Sequence, residues 1–115
     1  GHNPAGGEAV AATLAGMPRR ETFLICGMLN TKDVAGYMRP IAPQATRLYA
    51  VEIPGEKNTL PAETTRNAAQ AAGLAAQTAA SVGAALAEIV ATNPEARVLI
   101  CGSLYLAGQV LKTNG

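Results

Sequence analysis

Apolar positions along this chain follow two alternating rhythms. Val10, Leu14 and Met17 recur at i, i+4 and i+7 behind an Asn3-Pro4 start, which predicts a first helix ending before Pro18. Asn can cap a free first-turn amide, and Pro is already set to helical φ. "TFLIC", Thr22 to Cys26, is then apolar on both faces and closed by Gly27, as expected of a strand covered by helices on both sides. Val34, Met38 and Ile41 return to helical spacing, ended by Pro40 and Pro43, and "TRLYAVEI", Thr46 to Ile53, is extended and rich in β-branched and aromatic residues.

The second half repeats the rhythm. Pro54 to Leu60 reads as a loop, followed by an alanine-rich helix with Pro61 at its first position, Glu63 in its first turn and a stop at Gly73. "LAAQT", Leu74 to Thr78, suits a short edge strand. Ser81 is placed to cap a helix whose stripe is Val82, Ala85, Leu86, Ile89 and Val90, ended by Asn93-Pro94. "RVLIC", Arg97 to Cys101, is the last strand, and "SLYLAGQVLK" the last helix, with Leu104, Ala107 and Leu111 on one face and Lys112 at its C-terminal end. The alternation predicts a three-layer, Rossmann-like open α/β sheet, mostly parallel, with right-handed crossovers and helices on both faces. Such a sheet would lack the strand that feeds the first helix, so Gly1-His2-Asn3 is expected to be a strand-to-helix turn at the carboxyl edge, where ligands bind in these folds.

Length and composition narrow this picture. The 115 residues suffice for one domain, 1–115, with one core. With 49% apolar and 15% charged residues the chain should fold. A net charge of +1 and the absence of Trp leave neither an electrostatic footprint nor a stacking platform for nucleic acid. No apolar run approaches the ~20 residues of a membrane span, and no stretch of the sequence reads as a signal peptide. Cys26 and Cys101 lie far apart within apolar runs, without the close partner of a metal knuckle or redox CxxC, and read as buried, reduced thiols of a cytoplasmic protein.

Four turns should gather at the carboxyl edge: Gly1 to Pro4, Gly27 to Asp33, Ile53 to Asn58 and Gly102 to Tyr105. Gly102 permits a tight turn, and Ser103 either caps the following helix or helps present its amides to an anion. Lys32 offers a point charge for a phosphate or carboxylate, while Asp33 suits a helix N-terminus; both also fit a solvated helix start. His2 is the only histidine, and no metal-ligand set accompanies it. There is no G-x-x-x-x-G-K-[ST] loop, no G-x-G-x-x-G and no G-x-S-x-G, so a bound nucleotide would not be held by a phosphate loop of this chain.

Three stretches carry a resemblance. "GHNPAGG" resembles the end of the Asp-Gly-[Ala/Gly]-His-Asn-Pro motif of the Mur ligase family. "CGMLNTKD" is similar to a Gly-Met-x-x-x-Lys-Asp turn, and "VLICGSLYLAGQVL" to the C-terminal strand and helix, of that family's folylpolyglutamate synthase/dihydrofolate synthase branch. Together they run from Gly1 to Leu111. Gln109 stands where the family commonly has an acidic residue, and the motif's Asp would fall just before Gly1.

The resemblance implies the C-terminal domain of a larger ligase that works with ATP and Mg²⁺. A carboxylate of dihydropteroate or folate becomes an acyl phosphate, which the amine of L-glutamate attacks. ATP and Mg²⁺ would be held mainly by an upstream ATP-binding domain. His2 and Asn3 would lie on the ATP side, Lys32 and Asp33 near the interdomain site, and Ser103 and Tyr105 at the substrate edge. This fragment alone would be inactive, with weak ATP affinity at best. The alternatives are a stand-alone α/β binding or regulatory module, and the C-terminal domain of a cell-wall Mur ligase, against which "GSLY" argues.

Overall fold

The structure, a computed structural model, describes residues 4–29 and 33–102. Helix α1 (Pro4–Ala15) leads to β1 (Thr22–Gly27), and α2 (Val34–Met38) with a 3₁₀ turn (Ala42–Gln44) leads to β2 (Arg47–Ala50). Helix α3 (Ala62–Ala71), β3 (Ala76–Thr78), α4 (Val82–Thr92) and β4 (Arg97–Gly102) complete the order. All four strands are parallel, in the spatial order β3-β2-β1-β4. The predicted final helix, residues 103–112, lies outside the described residues.

Strand periodicity divides the core in two. Leu24 and Cys26 of β1, Leu48 and Ala50 of β2 and Cys101 of β4 point to one face, where they pack with Leu14, Val34, Tyr37, Met38 and Ala69 of α1, α2 and α3. Phe23, Ile25, Tyr49 and Val51 point to the other, against Val82, Ala85 and Ile89 of α4. Strand β1 is buried along its whole length because it is central and covered on both faces, which is why its sequence is apolar without alternation.

Start signals act as expected: Ser81 Oγ accepts the amide of Ala84 at 3.0 Å, and Asp33 Oδ1 that of Gly36 at 3.0 Å. Gly73, at φ 96°, follows α3 in the left-handed conformation that ends it. Pro61, expected at the first position of α3, stands one residue earlier in extended conformation and makes no side-chain cap bond. Four other expectations are corrected. Helix α1 ends at Ala15, its last turn closed by the Gly16 amide on Ala12 and Thr13, so Met17 swings into solvent. In α4 the buried positions are Val82, Ala85 and Ile89, which leaves Val90 rotated ~100° off the face and 53% exposed. The extended stretch 46–53 pairs as a strand only over Arg47–Ala50, although the Val51 amide still reaches Cys26 O at 3.0 Å. The second helix stops at Met38 and Ile41 lies just before the 3₁₀ turn that holds Pro43, because neither proline can donate to a continuing α-helical ladder.

Candidate functional site

Parallel strands deliver their carboxyl ends to one edge, and the reversal of connectivity decides where along it a crevice opens. Strand β1 leaves toward β2 through α2 on one face of the sheet, whereas β4 is reached through α4 on the other. The switch point therefore lies between β1 and β4, whose last residues, Gly27 and Gly102, are register partners. The exits of β1 and β4, at Gly27 and Gly102, therefore lie side by side.

Glycine at 102 is dictated twice over. Its φ is +72°, and a Cβ there would meet Met28 Sδ at 2.6 Å, Gly27 O at 2.8 Å and Cys26 Sγ at 2.9 Å. Its amide donates to the Tyr37 hydroxyl at 3.1 Å, within the buried interior. Tyr37 sits on α2, directly after the cap made by Asp33 and Gly36, so helix α2 both starts at the β1 turn and holds the exit of β4. Burial, reinforced by the thiols of Cys101 and Cys26, pushes the Tyr37 phenol far above its usual range and keeps it protonated.

Two further elements meet this edge. The loop after β2 folds back on the exit of β1: Leu29 bridges Thr59, the Leu60 amide donates to Met28 O at 2.8 Å, and Thr59 Oγ1 accepts the Ile53 amide at 2.8 Å. Helix α1 runs antiparallel to the strands and begins at the same edge. Its Gly7 lies against the Tyr37 carbonyl and Pro40, with no room for a side chain. An apolar groove of about 660 Å³ runs between α1 and β4, lined among others by Gly6, Val10, Tyr37, Cys101 and Gly102.

Among the candidate residues, Asp33 is exposed and uses Oδ1 to cap α2. His2, Asn3, Lys32, Ser103 and Tyr105 lie outside the described residues; in sequence Lys32 precedes the described Asp33, and Ser103 follows Gly102. The reading of two buried thiols holds, and the fold adds a relation between them. Cys26 and Cys101, without a close partner in sequence, are register partners on adjacent strands, both free and buried. Hydrogen bonding to Cys101 and then burial push the Cys26 thiol well above its usual range. Sequence reasoning also missed Tyr37 and Gly7; the Gly6-Gly7 doublet inside a helix, where glycine is costly, was the available signal.

The described residues contain no group of three or more His, Cys, Asp or Glu side chains able to hold a metal ion, and no helix among them is long and apolar enough to cross a membrane.

The sequence model of the family described as "Mur ligase, glutamate ligase domain" matches residues 1–104. No curated protein sequence matches the chain. Among solved structures, Escherichia coli FolC in complex with DHPP and ADP superposes with a TM-score of 0.82 at 23% identity, over 98% of this chain and 27% of that one. Mycobacterium tuberculosis folylpolyglutamate synthase complexed with ADP and AMPPCP gives 0.77 at 27% identity, over 100% and 28%. The bifunctional folylpolyglutamate synthase/dihydrofolate synthase of Yersinia pestis, complexed with AMPPNP and Mn ion, gives 0.76 at 20% identity, over 98% and 27%. The chain thus spans about a quarter of the length of the solved structures it matches.

Proposed function

Because the chain belongs to the Mur ligase family, as its glutamate ligase domain, we propose that it is the C-terminal domain of a folylpolyglutamate synthase/dihydrofolate synthase, joining L-glutamate to dihydropteroate or folate through an acyl phosphate. The observation that carries the reading is the family match over residues 1–104 joined to a likeness to folylpolyglutamate synthases along the whole chain.

The geometry supports a partial site rather than a complete one. A carboxylate–amine condensation through an acyl phosphate needs cationic and amide donors around the transferring phosphoryl group and a closed, dry space. Here the ends of β1 and β4, at Gly27 and Gly102, adjoin at one edge of the sheet, which offers one wall. On this proposal Lys32 meets an anionic substrate group at that wall, Ser103 and Tyr105 form the substrate edge, and His2 and Asn3 approach the nucleotide. Asp33 keeps α2, and with it Tyr37 and Gly102, in position. The described side chains do not supply a donor set for Mg²⁺, and the sequence has no phosphate loop. ATP and Mg²⁺ therefore belong, in this proposal, to an upstream ATP-binding domain, against which this one closes as a lid.

Chain handedness agrees with that arrangement. Helix α1 lies on the same face as α2 and α3, so a strand feeding it through a right-handed crossover runs outside β4, beside the apolar groove.

The test is ATP-dependent addition of glutamate to dihydropteroate and to folate by the full-length protein, with Lys32→Ala, Asp33→Asn and Asp33→Ala alongside. Lys32→Ala should lower kcat/KM by about 10²-fold or more. Asp33→Asn keeps the cap and should retain activity, whereas Asp33→Ala should lose stability by ~1 kcal/mol. Absence of glutamate addition to either acceptor by the full-length protein would overturn the assignment.

A further inference from the structure

We propose that Cys26, Cys101 and Met28 form a binding site for a soft, monovalent, thiophilic cation of the copper(I) class. Cys26 and Cys101 are directly opposed in a parallel ladder and point to the same face of the sheet. Side chains in that relation stand one strand spacing apart, ~4.8 Å. Two metal–thiolate bonds of ~2.3 Å span about the same distance, so a cation can lie between the sulfurs with little movement of the backbone. A disulfide needs the Cβ atoms within ~3.5–4.5 Å, which would pinch the ladder.

A third sulfur converges on the pair. Met28 Sδ and Cys26 Sγ lie 2.6 and 2.9 Å from the one point where a Cβ on Gly102 would stand, and Gly102 is the chain neighbour of Cys101. Two thiolates and a thioether, with no carboxylate or imidazole cluster among the described residues, select a soft d¹⁰ cation over Mg²⁺ or Ca²⁺. The Tyr37 hydroxyl accepts the Gly102 amide at 3.1 Å in the same buried cluster as Cys26 and Cys101, so its own O–H proton is available to a ligating thiolate. An O–H donor onto a ligating sulfur is the outer hydrogen bond that such sites use. Paired thiols alone would pack as two small apolar side chains; the third sulfur and the hydroxyl distinguish this cluster. Access runs through the groove between α1 and β4, which Cys101 and Gly102 line. On binding, each thiol releases its proton to water, the cation accepts electron pairs from two thiolates and one thioether, and nothing is oxidised.

The test is competition for copper(I) between the reduced full-length protein and bathocuproine disulfonate. Wild type should retain one equivalent of copper that both Cys26→Ala and Cys101→Ala lose. Tyr37→Phe should weaken retention ~10–100-fold, and Met28→Leu, which conserves core volume, by at least as much, a direct ligand counting for no less than an outer hydrogen bond. Equal retention in all variants, dependence on one cysteine alone, unchanged affinity in Met28→Leu, or a Cys26–Cys101 disulfide formed in place of the complex would each overturn the site. X-ray absorption of the copper-loaded wild type gives an independent reading: a shell of sulfur alone supports it, and nitrogen or oxygen ligands refute it.

Discussion

The Tyr37 hydroxyl accepts the backbone amide of Gly102 at 3.1 Å, tying helix α2 to the last residue of β4 across 65 positions of sequence. This one bond fixes α2 and the exit of β4 relative to each other. Tyr37→Phe leaves the Gly102 amide buried and unpaired, at a cost of ~1–3 kcal/mol. Gly102→Ala should cost more, since it forces a Cβ into Met28, Gly27 and Cys26 at positive φ. Urea unfolding of the two variants checks the order.

Two helical glycines should respond oppositely to alanine. Gly7 abuts the Tyr37 carbonyl, so Gly7→Ala must separate α1 from α2 and destabilise by ~1–3 kcal/mol. Gly83 in α4 is exposed, with Ser81 Oγ its nearest neighbour at 3.8 Å, so Gly83→Ala should stabilise by ~0.5–1 kcal/mol. Thermal melts of both variants give the signs.

Thr65 is fully buried in α3, and its hydroxyl has no hydrogen-bond partner. An unpaired buried hydroxyl is a net cost, and valine has the same shape. Thr65→Val should therefore raise stability by ~1 kcal/mol in chemical denaturation.

Alkaline pH should unfold the protein. Hydrogen bonding to Cys101 and burial raise the Cys26 thiol above its usual value of 9.0, and burial chiefly raises the Tyr37 phenol above 10.0. Both groups release protons more readily unfolded, so their contribution is complete below about pH 9 and falls as pH rises beyond it. The loss approaches ~1.4 kcal/mol per pH unit for each group that is ionised only when unfolded. Melting temperatures between pH 7 and 11 should show the decline, and Cys26→Ala should make it shallower.

Much of the fold is legible in local pattern. The apolar run of β1, the Ser81 and Asp33 caps, the Gly73 stop and the α4 stripe each follow from chemistry within a few residues, which is why their positions could be read without the fold. Met17 and Val90 could not be placed, because both satisfy helical spacing to within a residue. The helix end at Ala15 and the facing of α4 on the sheet exclude them from the core.

By itself the sequence determined the alternation of strands and helices, the parallel α/β class and the two turns, after Gly27 and after Gly102, in which the candidate chemistry lies. Those are set by periodicity and by turn residues acting over short distances. Only the tertiary structure decided that Gly27 and Gly102, from which those turns depart, adjoin, that Cys26 faces Cys101, that Tyr37 holds Gly102 and that Gly7 admits no side chain. Strand order and register join residues far apart in the chain, and no local preference encodes which strand becomes the neighbour of which.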